Sequence, residues 1–201
     1  MEVRHLTFAD IPSVTYRGDQ RSPTLQGYAS VFYDGTEDSQ FRLGENLVER
    51  IIPGAFDAAL ERGDDVRALF NHDPNLVLGR TPKTLSLSVD KKGLRYEIDA
   101  GTTLGRQVAE SVSRGDITGS SFGFIVDEDT IAKDGKENVR EIRKVTLIDV
   151  SPVTFPAYES TSAETRAAIL ARVNTVLSKQ FNADIREVVE RLEQIKQELR
   201  K

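Results

Sequence analysis

Short apolar runs alternate with polar residues along the first 160 positions, and turn-forming residues interrupt them. Leu25 to Phe32 reads as a strand closed by the Asp34-Gly35 turn. Asn46 to Ile52 reads as another, stopped by Pro53-Gly54. Val66 to Phe70 follows Gly63-Asp64-Asp65, and Leu76 to Gly79 follows a proline turn. Thr84 to Val89 and Gly93 to Ile98 alternate strictly, as half-buried strands do, and Asp90-Lys91-Lys92-Gly93 links them as a hairpin. Ser120 to Val126 and Arg140 to Val150 complete the set, with a polar loop around Lys133 to Lys136 between them. Two stretches follow the helical period instead. Ala55 to Arg62 is short; Leu104, Val108, Ala109 and Val112 share one face of a helix that ends at Gly115.

The last forty residues change rhythm. Thr161-Ser162-Ala163-Glu164 has the spacing of a capping box. Ile169, Leu170, Val173, Val176 and Leu177 then form one helical face. Ile185, Val188, Leu192, Ile195 and Leu199 continue at coiled-coil spacing for about two heptads. From Ala163 onward eight basic residues face six acidic ones, whereas the rest of the chain is net acidic. The pattern therefore predicts an α+β domain over 1–160, built on a mostly antiparallel sheet or barrel. A helical extension follows over 161–201, packed on its own domain or available for dimerisation or docking.

Composition narrows the chemistry. With no cysteine and two histidines, thiolate catalysis is excluded and a multi-histidine zinc site nearly so. A net charge of −5 gives no reason to expect bulk binding to nucleic acid. No apolar run approaches a membrane span, and Met1 to His5 lacks a signal peptide's apolar stretch, so a soluble cytoplasmic protein without membrane partner is expected. Asp64-Asp65, Asp116 and Asp127-Glu128-Asp129 match no calcium loop and read as solvated loops. The glycines fit no dinucleotide or phosphate loop, so no cofactor and no metal are expected.

Three features remain. His72, in Leu69-Phe70-Asn71-His72-Asp73-Pro74, is suited to proton transfer near neutral pH. Ser120 and Ser121 lie between Gly119 and Gly123, where small neighbours leave a hydroxyl accessible. Gly119-Ser120-Ser121-Phe122-Gly123 satisfies the Gly-x-Ser-x-Gly pattern, but no histidine follows it, so the α/β-hydrolase order fails. Asp149 interrupts the apolar strand before Ser151-Pro152, and an inward carboxylate there needs a partner. Taken singly, each has a bland alternative: a structural histidine, small residues at a strand start, an outward acid on an edge strand. His5, in a terminal strand or arm, reads as structural.

Five blocks in one order are more specific. They are Gly27-Tyr28-Ala29-Ser30-Val31-Phe32, Glu49 to Phe56, Ala68 to Asp73 with Leu78-Gly79-Arg80-Thr81, Gly115 to Phe124, and Asp149 to Tyr158. In these the chain resembles the tailed-phage prohead proteases, serine proteases of capsid maturation, from about Gly27 to Arg166. The resemblance implies a closed β-barrel with surrounding helices, like that of the herpesvirus maturation proteases. It also implies a homodimer acting in the host cytoplasm, inside the assembling procapsid. Its substrates would be the scaffolding segment of the major capsid protein and the protease itself. Ser121 matches the family serine, in preference to Ser120, and His72 the family histidine as general base. Asp149 is the candidate third member, able to hold the imidazole tautomer; Asp73, next to His72 on a strand, points to the other face. Backbone N–H groups at Gly123 or its neighbours are expected to form the oxyanion hole. Two rival readings stand beside this one. The first is a catalytically silent scaffold or assembly protein with the same fold, its C-terminal helices being the working part. The second is an unrelated β-barrel binding module. The C-terminal segment would, on the protease reading, tether the enzyme to the scaffold and be removed by self-cleavage, near small residues such as Ala163, Ala167 or Ala168.

Overall fold

A computed structural model describes residues 1–6, 12–16, 22–155 and 171–180, with 183, 185, 186 and 191. Strands dominate it. They are β1 (Glu2–Leu6), β2 (Ser13–Tyr16), β3 (Pro23–Val31), β4 (Gln40–Gly44), β5 (Leu47–Ile51) and β6 (Arg67–Phe70). Then come β7 (Asp73–Arg80), β8 (Leu85–Val89), β9 (Gly93–Asp99), β10 (Gly119–Asp134) and β11 (Glu137–Val153). Helix α1 (Asp57–Arg62) lies between β5 and β6, and α2 (Thr103–Arg114) between β9 and β10. The Thr102 hydroxyl caps α2 by accepting from the Gly105 N–H, and Gly115 ends the helix in the left-handed region at φ 81°.

Among the described residues the strands form two open sheets. One has seven strands in the order β1-β10-β11-β5-β4, with β6 on β11 and β7 on β6; the other runs β2-β3-β9-β8. The expected closed antiparallel barrel is therefore incorrect. Strands β5 and β6 both pair with β11 in parallel, through Asn138–Ile142 and through Asp149–Val150 respectively. The chain runs along one edge of β11, leaves it at Pro53-Gly54 for α1, and rejoins it further on. A parallel partner arrives only through such a crossover, and alternation within a strand carries no trace of it.

The core lies between the two sheets and the helices. Leu25, Tyr96 and Ile98 of the small sheet meet Phe122, Phe124, Leu147 and Val150 of the large one, with Ala59 of α1 and Val108 of α2. The long hairpin β10–β11 corrects a second expectation. Asp127-Glu128-Asp129 is not a solvated loop but part of β10, whose partner residues run to Asp134↔Glu137. Asp129 is kept there by Arg140, at 2.7 Å, and its side chain is 2% exposed. At the C-terminus residues 171–180 are helical. Val173, Val176 and Leu177 present the expected face and pack on Leu43, Leu47 and Ile131. The cap at 161–164, Ile169, Leu170 and, apart from an exposed Ile185, the coiled-coil positions fall outside the described residues.

Candidate active site

The sequence Ser121-Phe122-Gly123-Phe124 divides its side chains between two faces of β10, as a pleated strand must. Phe122 and Phe124 turn into the core and stack at 4.7 Å between ring centroids. Ser121 and Gly123 face the other way, opposite Ser151 and Asp149 of β11. Ser120, on the core side, is bonded to the Tyr96 hydroxyl at 2.9 Å. Burial pushes that phenol well above its ordinary pKa, so the pair is a neutral core contact.

His72 comes from a different element. It stands at the tip of the β6–β7 hairpin, where Asn71 and His72 both take left-handed backbone angles, φ 54° and 58°. A two-residue hairpin turn of this kind needs positive φ at both central positions, and glycine usually supplies it. Here tertiary bonds hold the turn. The Asn71 N–H donates to the Pro152 carbonyl at 3.1 Å, and the Asn71 side chain exchanges two bonds with Thr154. The turn is thereby fastened to the end of β11, which aims the imidazole at that strand.

The three side chains singled out in the sequence meet there. His72 Nδ1 lies 2.6 Å from Asp149 Oδ2, and His72 Nε2 lies 2.5 Å from Ser121 Oγ. A carboxylate only accepts, so Nδ1 carries the proton and Nε2 is left to accept from the serine hydroxyl. Asp149 is 2% exposed and Ser121 fully buried. Asp73 is not among these contacts; its side chain closes a local turn with Asn75.

One neighbour of the array was not anticipated as a site residue. The Ser151 hydroxyl donates to Asp149 Oδ2 at 2.8 Å. The signal was available, because residues two apart on a strand share a face and Val150 turns into the core. Gly123 has a second reason to be glycine: a Cβ there would lie 2.3 Å from Asp149 Oδ1. The carboxylate occupies the space that a side chain would need.

The Ser121 hydroxyl also approaches the Arg4 carbonyl of β1, at 2.8 Å. Strand β1 pairs antiparallel with β10, His5 opposite Ser121 and Arg4 opposite Phe122. The Arg4 side chain accordingly points to the core face. There it binds Glu49 at 2.5 Å and Glu2 at 2.6 Å, under the ring of Phe124. Arg140 binds the same two acids, each at 2.9 Å, as well as Asp129, which Arg172 of the C-terminal helix also grips. Three carboxylates thus face three guanidiniums. For Glu2, Arg4 and Arg140 burial works against the charge, but the partners outweigh it. Glu2 titrates below its ordinary value, and Arg4 and Arg140 hold their protons more tightly than free arginine.

Hydroxyl, imidazole and carboxylate bonded in series, on a sheet floor beside a strained turn, define the arrangement of a serine hydrolase. Residues 9–176 match the family described as caudovirus prohead serine protease, and the chain belongs to that family. It is 32% identical over 165 residues to the prohead protease of Enterobacteria phage HK97. That match takes in 78% of this chain and 65% of the relative, so the chain spans about two thirds of that protein's length. No solved structure matches. Among the described residues no group of three or more acidic or histidine side chains is placed to hold a metal ion, and no helix is long and apolar enough to cross a membrane.

Proposed function

We propose that this chain is a serine endopeptidase of procapsid maturation. On this reading it cleaves the scaffolding segment of the major capsid protein, and itself, inside the assembling particle in the host cell. The observation that carries it is the series Ser121–His72–Asp149, with contacts of 2.5 and 2.6 Å. Membership of a prohead serine protease family supports a capsid-protein substrate. The catalytic domain is taken as 1–160 and the helical extension as 161–201, and the working form as a homodimer.

In the reaction, His72 Nε2 takes the Ser121 proton as Oγ attacks the peptide carbonyl carbon. The imidazolium, steadied by Asp149, gives that proton to the leaving amine as the C–N bond breaks. Water then loses a proton to His72 and attacks the acyl-enzyme, and Ser121 recovers its proton from the imidazolium. Ser151 holds the Asp149 carboxylate against rotation, and Gly123 leaves it room. Backbone N–H groups near Gly123 are assigned to the developing oxyanion.

The test is coexpression with the capsid protein, read by intact mass. Wild type is expected to remove the scaffolding segment, Ser120→Ala to retain cleavage and Ser121→Ala to abolish it. Cleavage by Ser121→Ala would overturn the assignment. No cleavage by wild type in assembled particles would favour the silent scaffold reading.

A further inference from the structure

A nucleophile with no exposed surface cannot meet a peptide. The attacking oxygen must come within about 3–3.5 Å of the carbonyl carbon, and Ser121 is fully buried. Some neighbour has to leave. The hairpin tip carries His72 and β11 carries Asp149, so both must stay. Strand β1 is different: it is the edge of the large sheet and contributes no member of the series Ser121–His72–Asp149. Yet its Arg4 carbonyl sits on the serine oxygen.

That contact sets up a competition. The hydroxyl has one proton and two acceptors within reach, His72 Nε2 at 2.5 Å and the Arg4 carbonyl at 2.8 Å. A hydroxyl donating to Arg4 is not handing its proton to the base. The contact is also unproductive, because the serine meets the carbonyl oxygen rather than the carbon.

Resting on the protease reading above, we propose that β1 occupies the substrate's place. The edge of β10 beside Ser121 accepts an extended peptide in antiparallel register, with a basic side chain where Arg4 now lies, and β1 must leave before a substrate enters. The basic preference follows from what β1 would leave behind. Glu49 is fully buried, and its Oε1 is held by Arg4 while Oε2 keeps Arg140. Departure of β1 thus strands one carboxylate oxygen, which an arginine or lysine on the incoming strand would satisfy, stacked as Arg4 is on Phe124. The remaining Arg140 contacts to Glu49 and Asp129 explain why the site survives the exchange. Pairing to a sheet edge suits a substrate read mainly by its backbone.

The experiment places a recognition site for a sequence-specific endoprotease within residues 7–11 of the full chain and severs it after folding. Native mass spectrometry reports whether residues 1–6 have left, and the readout is the rate of fluorophosphonate labelling of Ser121. Strand-free protein is expected to label at least about tenfold faster than intact protein, because the competent fraction rises. A synthetic peptide of residues 1–6 added back should restore slow labelling, and its Arg4→Glu version should not. Equal rates in intact and strand-free protein would overturn β1 as occupant. Equal protection by the two peptides would overturn the basic preference. Absence of labelling in folded, strand-free protein would instead sink Ser121 as the nucleophile. Should the severed strand stay bound, the double variant Glu2→Pro with Leu6→Pro expels it by removing two N–H donors that, like the Arg4 carbonyl, turn towards β10, and an unchanged rate there counts equally against the proposal.

Discussion

Two polar clusters lie on opposite faces of β10, both buried except for a half-exposed Arg172, and they obey different rules. On the core face Glu2, Glu49 and Asp129 meet Arg4, Arg140 and Arg172, and every charge has an opposite partner within 3.0 Å. On the other face Ser121, His72, Asp149 and Ser151 form a relay in which one proton has two takers. With β1 in place the first arrangement has every charge paired. The second is poised to transfer a proton. Arg4 joins them, with its guanidinium in one and its carbonyl on the other. The lesson is that polarity and burial alone do not mark a reactive site; an unsettled proton does.

The contrast breaks if substitutions on the two faces have like effects. The largest expected difference is in rate. Ser121→Ala should lower cleavage by about 10⁴-fold or more while shifting unfolding stability by no more than about 1 kcal/mol. Kinetics with a capsid-protein substrate and urea unfolding check the two halves. Asp149→Asn should cost about 10⁴-fold in rate, because the amide favours the wrong imidazole tautomer, with the fold intact by circular dichroism.

Glu49→Ala should do the reverse. It leaves Arg4 with Glu2 as its one remaining acid and takes one of three acids from Arg140 in the interior, for a loss of about 3–5 kcal/mol in urea unfolding. A stable Glu49→Ala protein would show that the ion cluster is not what holds β1. Gly123→Ala sharpens the comparison from the reactive side. The new Cβ has to displace the Asp149 carboxylate, and a shift of that size should lower kcat by about a hundredfold, with KM changed little.

The smallest effect is in pH. Glu2 faces Arg4 and Arg140, with Glu49 beyond them, and titrates below its ordinary value of 4.5. A lowered carboxyl pKa means that its stabilisation is complete above about pH 4.5 and drains away as pH falls through the lower folded value. The unfolding midpoint should therefore drop in that acid window, and Glu2→Gln should flatten the drop. An identical slope in the variant would remove Glu2 from the account.

Much of this was legible in the sequence where the signal is local. Runs closed by turn residues located β3 and β5, alternation located β8 and β9, Gly115 marked the end of α2, and Val173, Val176 and Leu177 marked a buried face. Ser121, His72 and Asp149 were chosen from the sequence, and the fold brings these three together. The parallel partners of β11 were not legible, because pairing between distant segments leaves no periodic trace. The turn at Asn71-His72 lacked glycine, so its positive φ was invisible without the bonds to Pro152 and Thr154. Asp127-Glu128-Asp129 looked like a loop because the arginines that draw Asp129 into the strand lie 11 and 43 residues away.

The central claim is that His72 activates Ser121. The most direct test is to treat strand-free protein with a fluorophosphonate and map the adduct by peptide mass. The account predicts one adduct, on Ser121, and its loss in His72→Ala. An adduct on Ser120, or one on Ser121 that forms equally fast without His72, would contradict it.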